Sequence, residues 1–247
     1  MVEVAPAPAA IRAWDSAFFG VSIGQVGPPR GDPEIINKAL QWAAAVSVRC
    51  LYLLVDADDD ASSRAAEASR FGLVDVRVTL ERAVGGGDRD AGSARIRRAV
   101  PADIPALTAL ARTSHRNTRF HRDRRFDPRR SDELYAVWIE RSVTGELADV
   151  VWVVVEDGVP RGYLTLSCAG ERASIGLVAV DELLRGQGGG AELLRAATSW
   201  AADAGVTRIT VVTQGHNAAA VRFYERAGFV TSSVQFWYHR WLDEPGA

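Results

Sequence analysis

Short apolar runs alternate along the chain with longer segments in which apolar residues return every three or four positions. The runs have the length and β-branched content of buried strands, and the periodic segments have the single apolar face of packed helices. In the first third, a helix opens at Asp32-Pro33 and runs through Ala45, a buried strand covers 51–55, and a second helix ends at Arg70 before Gly72. Residues 74–80 then alternate apolar and polar side chains, as a strand with one buried face does. Farther along, a short strand near 97–100 leads into a Pro/Asp helix start at Pro101-Ala102-Asp103, and that helix runs to Thr113. Another helix over 132–143 precedes strands at 150–156, 162–168 and 173–180, the first two joined by the hairpin-type turn Glu156-Asp157-Gly158. A long helix over 189–204 lines up Leu193, Leu194, Ala197, Trp200 and Ala201 on one face and stops at Gly205. Strand 209–213, helix 218–227, Gly228 and an aromatic strand over 234–241 complete a mixed α/β order.

Gly85-Gly86-Gly87-Asp88-Arg89-Asp90-Ala91-Gly92-Ser93 has no apolar period and reads as a connection. It divides the chain into a smaller N-terminal α/β domain at 11–82, a linker at 83–94 and a larger domain at 95–242; 247 residues suit such a pair. The two segments echo each other. Strand, helix, Arg70-Phe71-Gly72-Leu73-Val74 and a closing strand repeat the order of strand, helix, Arg226-Ala227-Gly228-Phe229-Val230 and a closing strand, with Ala68 in the place of Tyr224. A duplicated half-fold and a chance match both account for this.

Hydrophobic residues make up 47% of the chain and charged ones 24%, enough for a sizeable core, which excludes a wholly disordered chain. No stretch approaches the roughly 20 apolar residues of a membrane span, and the opening MVEVAPAPAAI lacks the pattern of a secretion signal. The expectation is a cytoplasmic protein with no membrane partner. Cys50 and Cys168 sit in apolar segments without CxxC spacing and read as small buried hydrophobes. Asp56, Asp58, Asp59 and Asp60 lack the glycine and terminal Glu of a calcium loop, so no metal is expected. The 29 basic residues are one lysine and 28 arginines against 31 acids, and a net charge of -2 argues against a nucleic-acid partner. The arginines do cluster once. Between Arg112 and Arg130 lie eight of them with His115 and His121, facing only Asp123 and Asp127.

The strongest chemical signal is the strand Ile175-Gly176-Leu177-Val178-Ala179-Val180, followed by Asp181-Glu182-Leu183-Leu184 and then Arg185-Gly186-Gln187-Gly188-Gly189-Gly190 at the mouth of the long helix. A glycine-rich loop at a helix start lets several N–H groups point at one anion, with the helix dipole adding to the attraction. It is not a GxxxxGK[ST] loop, and no acid follows about 20 positions on, as a dinucleotide fold requires.

These residues resemble the GNAT superfamily of acyl-CoA-dependent N-acyltransferases, whose Arg/Gln-x-x-Gly-x-Gly/Ala signature matches Arg185 to Gly190. A second motif, Asn217-Ala218-Ala219-Ala220-Val221-Arg222-Phe223-Tyr224-Glu225-Arg226-Ala227-Gly228-Phe229, follows in order. The resemblance implies a GNAT fold over 95–242, acetyl-CoA as co-substrate, and a CoA site made of Val178, Ala179, Val180, Arg185, Gly186, Gln187, Gly188, Gly189, Gly190, Asn217 and Tyr224. It implies that the loop amides hold the pyrophosphate and that Asn217 bonds the pantetheine arm. Tyr224 is the candidate general acid, since a phenol stays protonated at neutral pH and can stabilise a departing thiolate. Its other reading is one more aromatic on the inner face of a helix.

A narrower resemblance, to the dTDP-fucosamine acetyltransferase family, rests on Trp14-Asp15-Ser16-Ala17-Phe18-Phe19-Gly20, Arg119-Phe120-His121-Arg122-Asp123, Leu134-Tyr135-Ala136-Val137-Trp138-Ile139 and Thr213-Gln214-Gly215-His216-Asn217. It implies N-acetylation of a dTDP-linked 4-amino sugar and makes Arg119, Phe120, His121, Asp15 and Tyr135 the candidate acceptor residues. Guanidinium forks suit a diphosphate, and an aromatic ring suits thymine. His121, Asp15 and a chain of waters are equal candidates for the base. Two other readings share the motifs: the same chemistry on an antibiotic, peptide N-terminus or polyamine, and a CoA-binding regulatory module without turnover. The aromatic closing strand Phe236-Trp237-Tyr238 fits either a core or a homodimer interface.

Overall fold

The computed structural model describes residues 7–27, 33–88 and 92–242. The first segment forms β1 (Ala9–Ile11), α1 (Ala13–Phe19), β2 (Ile23–Val26), α2 (Pro33–Ala45), β3 (Cys50–Asp56), α3 (Asp60–Ala68) and β4 (Gly72–Ala83). The second forms β5 (Ile96–Arg98), α4 (Ile104–Ser114), α5 (Arg119–Arg122), α6 (Pro128–Val143), β6 (Val150–Glu156), β7 (Val159–Ala169), β8 (Arg172–Val180), α7 (Gly189–Asp203), β9 (Arg208–Gln214), α8 (Ala218–Arg226) and β10 (Val230–Trp241). The expected helix start at Asp32 lies outside the described residues, as do Arg89, Asp90 and Ala91 of the connection. The short α1 escapes the periodic pattern because 7 residues are too few to establish one.

The strands make one ten-stranded sheet in the order β1-β2-β3-β10-β4-β9-β8-β7-β6-β5. β10, the last strand of the chain, lies between β3 and β4 of the first segment, and Phe236 pairs with Val55 on one side and Val76 on the other. β4 in turn pairs antiparallel with β9. Each half thus places its closing strand beside the central strand of the other half.

The echo in the sequence is borne by the geometry. β3, α3 and β4 hold 7, 9 and 12 residues, and β9, α8 and β10 hold 7, 9 and 12. Outward from the β10–β4 pair the neighbours also repeat: β3 and β9 are followed by the parallel strands β2 and β8, then by the antiparallel strands β1 and β7. Matching the starts of the elements sets Ala66, which is fully buried, opposite Tyr224, in place of the Ala68 that the spacing of the two glycines gives.

Directly paired residues share a face of a sheet, so Phe236 and Val76 point the same way. That face carries two cores, one under α2 and α3 around Leu51, Leu53, Val55 and Tyr238, the other under α7 and α8 around Leu80, Leu164, Leu193 and Ile209. The opposite face is covered by α1, α4, α5 and α6, whose Leu107, Phe120, Leu134 and Ile139 pack on Cys50, Tyr52, Val153 and Tyr163. β10 alternates between them. Phe236 and Tyr238 enter one core while Trp237 and Trp241 pack on the other, so its aromatic side chains serve the interior.

Leu80 has no exposed surface and lies on β4, between strands of the other half. Leu80→Ala is expected to cost about 2–5 kcal/mol. Urea unfolding followed by tryptophan fluorescence and by far-UV circular dichroism should give a single coincident transition at lower midpoint. Two separated transitions would show that the halves are not coupled through the exchanged strands.

Candidate active site

Parallel β8 and β9 are paired from Arg172–Arg208 to Ile175–Val211, and the pairing ends there. The cause is local. The β7–β8 register shifts between Leu164 and Leu166, and Leu177 N donates to Thr165 Oγ1 at 2.8 Å across the irregularity. A Cβ at Gly176 would lie 2.9 Å from that oxygen, so a side chain there forces the bulge to move. One extra residue also reverses the facing of the strand: Ile175 belongs to the core under α7 and α8, whereas Leu177 belongs to the opposite one. The diverging strands leave a cavity of about 300 Å³ lined by Gly176, Val178, Val212, Gln214, Asn217 and Tyr224, with His115, Thr118, Tyr135 and Trp138 on its other side.

Tyr224 sits in α8 and is nearly buried against Phe223 and Phe229. Burial raises its phenol well above the ordinary range, so it keeps its proton at any working pH. Asn217 caps α8, its Oδ1 accepting from Ala220 N at 3.2 Å, which leaves the donor end of the amide for other partners.

The glycine-rich loop lies where the sequence places it. Gly186 and Gly188 adopt φ of +77° and +85°, conformations that strain other residues, and Gly188 is the N-cap of α7. The first N–H groups of a helix have no acceptor within it. Beside them opens a cleft of about 870 Å³ between α7 and α8, reaching Val180 and Gly190, whose absent side chain leaves room against Phe223. Arg82, Arg185, Arg195, Arg222 and Arg226 line the cleft, and no carboxylate is among its lining residues. This positive rim was not legible in the sequence, because the arginines come from four separate segments. Arg82 crosses from the first half, with Nη1 donating to Ala227 O at 2.9 Å and an ion pair to Asp88. A cradle of free amides with such a rim fits a phosphate-bearing ligand.

On the side of the sheet covered by α5 and α6, a smaller cavity of about 190 Å³ is lined by Asp75 and Arg77 of β4, Arg119 and Phe120 of α5, and Trp237 of β10. It shares Thr118, Tyr135, Trp138, Val212, Thr213 and Gln214 with the cavity between β8 and β9. The Arg119 guanidinium is held among the rings of Tyr52, Phe120 and Trp237 at 4.2, 4.4 and 4.2 Å, and its Nη1 lies 3.2 Å from His239 Nε2.

Of the expected acceptor residues, Arg119, Phe120 and Tyr135 line this cavity; His121 and Asp15 do not. His121 is engaged by Asp132 at 2.9 Å and Thr118 at 3.1 Å, and Asp15 lies 3.9 Å from Arg119. The arginine cluster disperses into separate contacts. Arg112 pairs with Glu133, Arg116 with Asp132, Arg122 donates to Val74 O, and Arg130 stacks on Phe18. Asp75 and Arg77 went unnoticed because they fall on the polar side of an alternating strand, a pattern that ordinarily marks the solvent face. Here that face looks into a cavity. Among the described residues no cluster of His, Cys, Asp or Glu could hold a metal, and no helix is long and apolar enough to cross a membrane.

The sequence pattern of the acetyltransferase (GNAT) family matches residues 113–229. The chain is 32% identical to the dTDP-fucosamine acetyltransferase of Escherichia coli O6:H1 over 229 residues, 92% of this chain and 95% of that one. It is 28% identical over 141 residues to the spore coat polysaccharide biosynthesis protein SpsD of Bacillus subtilis, covering 57% of this chain and 48% of that one. A solved GCN5-related N-acetyltransferase from Sphaerobacter thermophilus superposes with a TM-score of 0.65 at 15% identity, over 97% of this chain and 77% of that one.

Two histidines near these cavities are held neutral. His115 shares a 2.7 Å hydrogen bond with the Tyr163 hydroxyl and stacks on Tyr135, and loss of hydration there brings it down to about 4. Burial brings His239 to about 4 as well, although the Asp123 carboxylate accepts from its Nδ1–H at 2.7 Å. An unfolded histidine titrates near 6.5, so between pH 6.5 and 4 the unfolded chain binds more protons than the folded one. Stability should therefore be complete above about pH 6.5 and fall on acidification through that window. Urea midpoints between pH 7.5 and 4.5 test this, and a variant with both histidines replaced by glutamine should lose that part of the slope.

Proposed function

Because the chain belongs to the GNAT family of acetyltransferases, we propose that it transfers the acetyl group of acetyl-CoA to the amino group of a dTDP-linked 4-amino sugar. The observation that carries this reading is the pair of cavities with a shared wall, one at the parting of β8 and β9 and one under α5. The relation to the dTDP-fucosamine acetyltransferase supports the choice of acceptor, since it extends over both halves that build the second cavity. The protein is assigned to the cytoplasm.

The loop from Arg185 to Gly190 and the arginines of the cleft are the groups that would hold the phosphates of CoA. The edge of β8 from Val178 to Val180 supplies backbone groups for the pantetheine arm, and the Asn217 amide adds a donor. The bound thioester brings an activated acetyl group, and the protein orders everything around it. Thr118, Tyr135 and Trp138 form the wall against which the acceptor lies, and Arg119 supplies a guanidinium toward its diphosphate. As the acceptor nitrogen forms a bond to the acetyl carbon and the C–S bond breaks, Tyr224 gives its phenolic proton to the sulfur. Burial keeps the Tyr224 phenol protonated until the departing thiolate calls for its proton.

Turnover read by thiol release, on a panel of dTDP-4-amino sugars and simple amines, tests the reading. A preference for one dTDP-amino sugar is expected, and a preference for a plain amine would replace it. Tyr224→Phe should lower kcat about 100-fold or more while acetyl-CoA still binds, as measured by calorimetry. Near-normal turnover would remove the phenol from the mechanism. Arg119→Ala should raise KM for the nucleotide sugar about tenfold or more and leave KM for acetyl-CoA unchanged; an unaltered sugar KM would assign the guanidinium to packing alone.

A further inference from the structure

An ammonium cannot attack a thioester until it loses a proton, and the residues around the shared wall offer few acceptors. Asp123 is occupied by His239 at 2.7 Å and by Trp241 Nε1 at 2.9 Å. His121 is tied to Asp132 and Thr118, and Asp15 lies outside the lining. His115 is engaged with Tyr163. Asp75 differs from all of these. It is the one carboxylate lining either cavity among the described residues, and its side chain is only 4% exposed. Its Oδ1 accepts from Val76 N at 2.9 Å. His216, from the turn between β9 and α8, places Nδ1 3.6 Å from the same oxygen and keeps 35% of its side chain in contact with solvent.

We propose that Asp75 is the base that takes the proton from the acceptor ammonium, and that His216 passes it to solvent. The proposal rests on the nucleotide-sugar reading above and adds to it the group that activates the amine. One proton moves from the ammonium nitrogen to the Asp75 carboxylate. The freed lone pair forms the C–N bond, the C–S bond breaks, and the sulfur takes the Tyr224 proton. The second proton leaving the new amide nitrogen restores the phenol. Transfer from Asp75 to His216 and on to water releases the single net proton of the reaction.

The surroundings suit the task. Burial raises the Asp75 carboxyl above the ordinary carboxylate range, and His216, Arg122 and Arg119 oppose that rise without cancelling it. Arg77 of β4 and Tyr135 of α6 also face the same space. A carboxylate made more basic in this way is a better proton acceptor than an exposed one. Asp75 comes from β4, so the first half of the chain contributes a reacting group and not only a wall.

The test compares Asp75→Asn with the wild-type enzyme in kcat/KM for the dTDP-amino sugar between pH 5.5 and 10. Asp75→Asn is expected to lose about 100-fold near neutrality and to recover as pH rises toward the amine's own pKa, where free amine no longer needs a base. KM for acetyl-CoA should not change. Asp75→Glu should restore part of the neutral rate. His216→Gln removes a neighbour that favours the ionised carboxylate, so the acid limb of the wild-type profile should move to higher pH. This second variant leaves Asp75 in place and decides the matter if Asp75→Asn does not fold. A loss in Asp75→Asn that is the same at every pH, wild-type activity in that variant, or an acid limb unmoved in His216→Gln would each overturn the proposal. If the wild-type enzyme prefers a plain amine, the substrate reading fails and the same profile is read on that amine. If it turns over no amine at all, both fall together.

Discussion

The insertion of β10 between β3 and β4 is the constraint on which the rest of this molecule depends. Without it, β3 and β4 would each present toward the gap a row of unpaired backbone donors and acceptors. The exchange satisfies all of these groups within one chain and joins both halves in one sheet. It also decides what stands beside what. β4 borders β9, so Asp75 and Arg77 of the first half meet Gln214 and His216 of the second. β10 borders β4, so Trp237 closes the same space from the other side.

A second, smaller irregularity turns this continuous sheet into a site. Parallel strands as apolar as β8 and β9 would pair along their full length if nothing intervened. The bulge opposite Thr165 spends one residue, Gly176, and thereby bends β8 away from β9 just beyond Ile175. Backbone that would have been consumed in the ladder is freed at Val178 and Val180, and Tyr224 gains a view into the gap. The gap reaches through the sheet from the α7–α8 side to the side covered by α5 and α6. A phosphate-bearing ligand on one face and a polar one on the other can therefore meet without either crossing a core.

Features set by nearest neighbours in sequence were readable in the residues alone. The glycine loop, the long amphipathic helix that begins at Gly189 and the closing aromatic strand all follow from local geometry. So did the order of the longer elements from α2 onward, whereas β1, α1, β2 and α5, of three to seven residues each, are too short to carry a period of their own. The exchange of β10 was not readable, because a strand equally apolar on both faces says nothing about which neighbours it will have. The arginine cluster misled for a related reason. Eight like charges close in sequence suggest one field, yet three helices and the turns between them point them in different directions, and Glu133, Asp132, a carbonyl and aromatic rings engage Arg112, Arg116, Arg122, Arg119 and Arg130 separately. The positive rim that does exist is assembled from Arg82, Arg185, Arg195, Arg222 and Arg226, far apart in the chain.

The first half shows how little separates a working half from a supporting one. It has the same strand order as its counterpart, its β3, α3 and β4 match β9, α8 and β10 in length, and its β2 and β3 are parallel like β8 and β9. Its strands remain paired along the short length of β2, from Ile23–Cys50 to Gln25–Tyr52. The Trp42 ring fills the space beside Gly24, so closely that a Cβ there would approach it to 2.9 Å. Ala66, opposite Tyr224, is packed in the core and has no proton to give. Among its described residues, the position matching Tyr224 carries no phenol, and β2 and β3 do not part as β8 and β9 do. It still possesses the polar side of β4, and because β4 lies against β9 in the exchanged sheet, that side is placed beside the gap between β8 and β9. The strand exchange is therefore what brings the polar side of the closed half to the cavity of the open one.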